Sequence, residues 1–361
     1  MAMNNYIELS IIIPSFNHAN LTCKMIESIL ANTYDKWELI IVDDGSDISE
    51  LEILEKFCMY HEQILIIKRK DLPKGANKCR NIGFKRARGK YIIFFDSDDY
   101  IPPYCLAERV AQMEKNPDYD FIIFPSGTYS NNFFDKSIQD ACCGYHIYTN
   151  DIKMFAKRRL PFIVWNNIYK KASLENKNIL WDEKLKSLQD ADFNVKTILA
   201  GLKYKYANSE PDYGYRINSN ANSVSKKMTS KQHQKNNVYA LLTFYNMFQA
   251  KYGHKYDLSL FIGALWIYNH SMSDGIDIEY AIDLQKIVIN KSAFFGILFR
   301  MCITATQFLS KFMHSKIARQ IPMAPYLLWR IVQFKYAKIK MKKAYNRNKQ
   351  YERNSNFTSN L

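Results

Sequence analysis

The chain lacks any pair of cysteines with metal or redox spacing. It has seven, an odd number, with no C-x-x-C and no Cys/His cluster. Cys142 and Cys143 are adjacent and poorly placed to bridge each other. This argues against a disulfide framework or a cysteine zinc site and points to a reducing compartment. The opening MAMNNYIELS has no basic-then-apolar export signal. No internal repeat or long low-complexity segment occurs. Long uninterrupted apolar runs are also missing. Ala293–Ser310 is barely long enough to span a bilayer, and Arg300 near its middle would be costly there. Acid is scarce at the C-terminal end. From Ser292 to Leu361 thirteen Lys/Arg face one acid, Glu352, so this tail carries +12 of the net +15. A basic tail seeks nucleic acid or an anionic membrane surface.

What is present is ordinary globular material. The 361 residues are 47% hydrophobic and 14% aromatic, which excludes wholesale disorder and allows a sizeable core. The first 125 residues alternate strand and helix. Glu8–Pro14, Trp37–Val42, Ile64–Lys68, Tyr91–Phe95 and Phe121–Phe124 read as strands. Leu21–Ala31 and Ala76–Ala87 read as helices, and Ser49 with Glu52 as a capping box opening another. Short, continuously apolar strands between helices predict a parallel α/β sheet, whose ligands sit at the strand carboxyl ends. Phe162–Tyr169 reads as a later strand and Asp190–Ala200 as a helix. Tyr204–Ile217 reads as extended chain, Ser219–Lys227 as a loop, and helices follow from Ser230.

Polar residues fall at three of those ends: Ser15 and Asn17, Asp43 and Asp44, then Asp96, Asp98 and Asp99. Three carboxylates within four residues repel one another, so they take up protons or gather a cation. Oxygen ligands suit Mg²⁺ or Mn²⁺ holding a phosphorylated ligand. A turn that caps the next helix is the other reading of Asp96-Ser97-Asp98.

PSFN at 14–17, VDDGS at 42–46, RNIGFKRARGKYIIFFDSDD at 80–99 and the later VWNNIYKK, WDEKL and QDADF resemble family 2 glycosyltransferases over about residues 8–225. The resemblance implies the GT-A (Rossmann-like) α/β fold. It places a catalytic domain at 1–225, with a nucleotide-binding half at 1–125 and an acceptor and base half at 126–225. A helical, basic region fills 226–361. It implies that Asp96 and Asp98 hold Mn²⁺ or Mg²⁺ against the diphosphate of a nucleotide-sugar, with Ser97 between them and Asp99 supporting the pair or touching the donor sugar. Pro14, Ser15, Asn17, Asp43, Asp44, Lys74, Arg80 and Asn81 match the donor site. The reaction implied is an inverting single displacement with a UDP-sugar as donor and Asp190 as base. Gln189 stands where the family usually has Glu, and Asp192 is a rival base. Helix capping is the alternative for Asp190. Trp165 fits either an acceptor-stacking or a core role.

Along Ile321–Met341 and into Lys342, Trp329, Val332, Tyr336 and Ile339 fall on one helix side, and Lys335, Lys338 and Lys342 on another. This predicts an in-plane helix on anionic lipid, with packing on the catalytic domain as the alternative. The expected function is transfer of one sugar to a glycan or lipid-linked acceptor by a cytoplasmic protein peripheral on the inner face of a bacterial membrane. A GT-A protein that binds without turnover is the alternative. Nucleic acid is not an expected partner, because no DNA or RNA module is recognisable.

Overall fold

A computed structural model describes residues 7–137, 143–217, 231–270, 278–312, 328, 331–332 and 335–348. Strands β1 (Leu9–Ser15), β2 (Trp37–Asp43), β3 (Ile64–Lys68) and β4 (Tyr91–Phe94) alternate with helices α1 (Ala19–Leu30), α2 (Ile48–Cys58) and α3 (Ala76–Arg86). Helix α4 (Cys105–Lys115) leads to β5 (Phe121–Ile123), β6 (Gly127–Ser130) and β7 (Phe133–Asp135). Then come α5 (Asp151–Ala156), β8 (Asn167–Lys170), α6 (Lys171–Asn176), α7 (Gln189–Leu199), β9 (Tyr204–Tyr206) and β10 (Gly214–Arg216). Helices α8 (Lys231–Tyr252), α9 (Asp257–His270), α10 (Ile278–Lys291) and α11 (Ala293–Phe312) follow, and residues 335–348 form a last helix, α12.

The main sheet has the order β3-β2-β1-β4-β8-β5-β9. The continuous apolar runs fit a sheet covered on both faces. Successive side chains point to opposite faces, so each run feeds two cores. Ile12, Ile40, Val42, Ile92 and Phe94 join one core, and Leu9, Ile11, Ile13, Leu39, Ile41 and Ile93 the other. Helix α3 lies close against β1 at Gly83, where a Cβ would come within 2.5 Å of Ile12. The first core runs on through Phe155 and Val195 into Phe244, Leu260, Ala281 and Phe299, so the helical region shares a core with the sheet.

Three expectations need correction. The sheet is mixed, because β8 runs antiparallel to both β4 and β5. The strand expected from Phe162 begins only at Asn167. Val164–Asn166 forms a 3-10 turn, in which the Asn166 side chain accepts from the Ile163 N–H at 2.8 Å and donates to the Phe124 carbonyl at 2.8 Å. The Ser49–Glu52 capping box does not form. Asp47 occupies the N-cap of α2, and Glu50 instead accepts from the Ala19 N–H at 2.7 Å.

Candidate active site at the strand carboxyl ends

Parallel register brings the ends of β1, β2 and β4 to one rim: Ser15 lies beside Asp43, and Ile12 beside Phe94. The first two loops brace each other. Asn17 has φ +49°, a left-handed conformation that Asn tolerates. Its N–H donates to the Ser46 hydroxyl at 2.9 Å, and its side chain donates to Asp47 and accepts from the Asp47 N–H. The Ser15 carbonyl accepts from the Asp44 N–H at 2.8 Å, while its hydroxyl is buried beside Thr22. Pro14 sits half-buried at the end of β1.

Asp43 and Asp44 divide the labour. Asp43 shapes its own turn by accepting from the Gly45 and Ser46 N–H groups at 3.0 and 2.9 Å and from the Ser46 hydroxyl. Asp44 forms a buried ion pair with Arg69 and accepts from the Gly75 N–H at 2.6 Å. Arg69 also donates to the carbonyls of Asp71 and Pro73, so this pair holds the loop after β3. Sequence reasoning missed Arg69; its only signal is a basic residue just past the end of β3. Lys74, in the same loop, lies 4.1 Å from the centre of the exposed Phe16 ring and donates to the Gly45 carbonyl.

Arg80 is the hub of the site. Its guanidinium donates to Asp96 at 2.7 Å and to the Gln189 side-chain carbonyl at 3.2 Å, and lies 4.4 Å from the Trp181 ring centre. It therefore ties the end of β4 to the start of α7. Gln189 accepts here as a Glu would. Asn81 points elsewhere. Its side chain exchanges hydrogen bonds with the Trp181 backbone and donates to Glu183, so it anchors the 181–183 segment rather than facing the rim. Asn77, which sequence reasoning also missed, does the same by donating to the Asp182 carbonyl at 2.7 Å.

The three acids after β4 are not equivalent. Asp96, Ser97 and Asp98 are half-buried, whereas Asp99 is buried. Asp99 accepts from the Tyr213 hydroxyl at 2.6 Å and the Arg216 N–H at 2.7 Å. Burial first, then the charges of Asp98 and Asp96, push its carboxyl well above the usual range. Each of its carboxyl oxygens is thus taken by a protein donor. Behind it, Arg109 and Asp212 form a fully buried two-pronged ion pair at 2.6 and 2.7 Å that fixes the chain leading to Tyr213.

Asp190 stands in the first turn of α7, whose N-cap, Leu188, makes no side-chain cap. Its carboxyl is pushed up to about 6 by burial, with Arg80 lowering it and Asp96 raising it. Asp190 and Asp96 therefore feel each other's charge across Arg80. Asp192 is buried and paired with Lys196, one turn on, at 2.6 Å. Trp165 is also core. Its ring lies nearly parallel to those of Tyr213 and Tyr215, with centres 5.3 and 5.4 Å away. The expected loop at 219–227 lies outside the described residues.

Among the described residues no three His, Cys, Asp or Glu side chains form a complete metal cage. The rim offers instead two half-buried carboxylates, Asp96 and Asp98. An all-oxygen pair that leaves positions for phosphate oxygens and water fits Mg²⁺ or Mn²⁺. A separate cleft of about 670 Å³ runs along β9 and α5, away from this chemistry; its Asp151 is occupied by the hydroxyls of Tyr204 and Tyr206.

The family model described as Glycosyl transferase family 2 matches residues 10–182. The chain is 30% identical over 227 residues to an uncharacterized glycosyltransferase of Haemophilus influenzae, covering 62% of this chain and 73% of that one. It is 26% identical over 259 residues to the uncharacterized glycosyltransferase EpsJ of Bacillus subtilis, covering 70% and 74%. It is 25% identical over 197 residues to TarS of Staphylococcus aureus, a poly(ribitol-phosphate) β-N-acetylglucosaminyltransferase, covering 53% of this chain and 32% of that one. The crystal structure of TarS 1–349 with UDP-GlcNAc shares the fold, with TM-score 0.58, 18% identity, and 96% and 92% of the two chains covered. Several other curated relatives are much longer, and the match spans about a quarter to a third of them. The motifs, the mixed sheet with its polar rim and these likenesses agree: the chain is a glycosyltransferase of family 2, with the GT-A fold and a helical C-terminal part.

Proposed function

We propose that this enzyme moves one sugar from a UDP-sugar to a hydroxyl of a glycan or lipid-linked acceptor, with inversion, using Asp190 as base and Asp96 and Asp98 as ligands of Mn²⁺ or Mg²⁺. The observation that carries the proposal is Arg80, which touches Asp96 and Gln189 at once and so ties the proposed metal carboxylate to the neighbour of the proposed base. A divalent cation bound there would stabilise the charge that develops on the leaving nucleoside diphosphate. The protein does the rest. The braced loops at 14–17, 43–47 and 69–75 form the donor floor, with Lys74 and the exposed Phe16 at its mouth. Asp190 accepts the proton of the attacking hydroxyl, and a carboxyl near 6 is mostly ionised at neutral pH. Gln189 does not weaken this, because it receives the same Arg80 hydrogen bond that a Glu would. A UDP donor is supported by the UDP-GlcNAc complex of TarS, and a polymer acceptor by the activity in that protein's name.

The test is Asp190→Asn. Donor binding should persist by calorimetry while transfer falls by about 10²–10⁴, the usual contribution of a positioned base. Normal transfer by this variant would remove Asp190 from the mechanism.

A further inference from the structure

Two C-terminal helices carry large apolar residues on their outer sides as well as their inner ones. Helix α12 packs on Tyr145 and Ile147 through Ala337, Met341 and Ala344, two of them among the smallest apolar residues. Its outer side and the turns before it carry Leu328, Ile331, Val332, Tyr336 and Ile339, all more than half exposed. Helix α11 is apolar on two sides. Phe299 and Ile303 face the core, while Phe294, Ile297, Met301 and Phe308 face outward, again all more than half exposed. These four recur at spacings of three, four and seven residues, so they form one stripe. Single exposed apolar residues are ordinary, but contiguous stripes of large ones mark a contact surface.

The charge around the stripes selects the occupant. Exposed Arg300 borders the α11 stripe, and exposed Lys335, Lys338, Lys342 and Lys343 are interleaved with the apolar residues of α12. The final 70 residues hold only one acid, Glu352. A second copy of the chain would set +12 against +12, which repels. Nucleic acid offers no apolar phase for Leu, Ile, Val and Met side chains. An anionic bilayer meets both demands: apolar side chains enter the acyl boundary while lysines reach up to headgroup phosphates. Among the described residues no helix is long and apolar enough to cross a membrane.

We propose that the outward faces of α11 and α12 are lipid-binding faces that hold the enzyme in the plane of an anionic membrane surface. Packing on the catalytic domain and binding lipid are then not rivals, because opposite sides of the same helices do each. The inference is independent of the transfer mechanism, since it can be tested without donor or acceptor.

The experiment is co-sedimentation of the full chain with phosphatidylcholine vesicles, with and without about a third phosphatidylglycerol. Binding should require the anionic lipid and weaken as salt rises. The variant F294S/I297S/M301S, and separately I331S/I339S, should each lower partitioning by about tenfold. K335Q/K338Q/K342Q/K343Q should lower it similarly and flatten its salt dependence. Circular dichroism of every variant should match the parent, because these side chains are exposed. Using two apolar variants keeps the test decisive if one misfolds. No sedimentation on anionic vesicles would overturn the proposal, as would binding unaffected by all three variants. So would a dimer in analytical ultracentrifugation that the apolar variants dissolve, because the stripes would then be an interface between copies.

Discussion

At the strand-end rim several polar side chains are held by other loops, whereas on α11 and α12 some large apolar side chains face outward. Arg80 spans two elements, Asp44 is locked by Arg69, and Asp99 is held by Tyr213 and the Arg216 backbone. Phe294, Ile297, Val332 and Ile339 stand exposed. The difference teaches how to separate scaffold from contact surface. Groups that must keep a geometry during chemistry are fixed by neighbours before substrate arrives. Groups meant for a partner are left solvated or apolar until it comes. Equal substitutions in the two regions should therefore have unequal effects.

The largest effect on stability is expected at Arg109→Met. It leaves Asp212 buried and uncompensated, which destabilises by about 3–5 kcal/mol and lowers the melting temperature or prevents folding. Arg80→Met should leave the fold in place but reduce transfer by about 10², because Asp96 and Gln189 lose their common tether; single-turnover kinetics would read this. Asn81→Ala should cost about 1–3 kcal/mol in urea unfolding, since the Trp181 N–H loses its acceptor. The acid limb of the rate profile comes next. Asp190 must be ionised to take a proton, so the rate should fall as pH drops through about 6. A cation beside Asp96 removes part of the influence that raises Asp190, so added Mn²⁺ should shift that limb to lower pH. The smallest effect is expected at Ile297→Ser or Ile339→Ser, where urea stability should change by no more than about 0.5 kcal/mol. A loss of several kcal/mol there would mean that these residues are core, and the contrast between the regions would fail.

Much of the fold of the first 125 residues was legible in the sequence because its central strands are buried on both faces. Runs such as Leu9–Ile13 and Leu39–Val42 have few other uses, and the polar residues that end them mark the rim. The direction of β8 was not legible, because strand direction depends on how the chain returns after its excursion from 124 to 166. The contacts of Asn81 and Trp165 were not legible for one reason. A motif names residue types but not the direction of the side chain, and these two turn toward Trp181 and toward Tyr213 and Tyr215. Asp192 lies two residues from Asp190, which on a helix is about half a turn away and so on another face. Arg69 has no motif at all, and only its pairing with Asp44 reveals it. In α12 the pattern of Trp329, Val332, Tyr336 and Ile339 was visible. Which side packs on the protein was not, because the inward residues are small. Trp329 itself lies outside the described residues.

The most direct test of the central claim is calorimetric titration of UDP and UDP-sugars into the full chain, first with Mn²⁺ and then with EDTA, repeated on Asp96→Ala and Asp98→Ala. Binding is expected that Mn²⁺ supports, that EDTA abolishes and that neither variant retains. Equal binding with EDTA, or unchanged binding by both variants, would contradict it, because the charge gathered at the end of β4 would then not be holding a cation against a diphosphate.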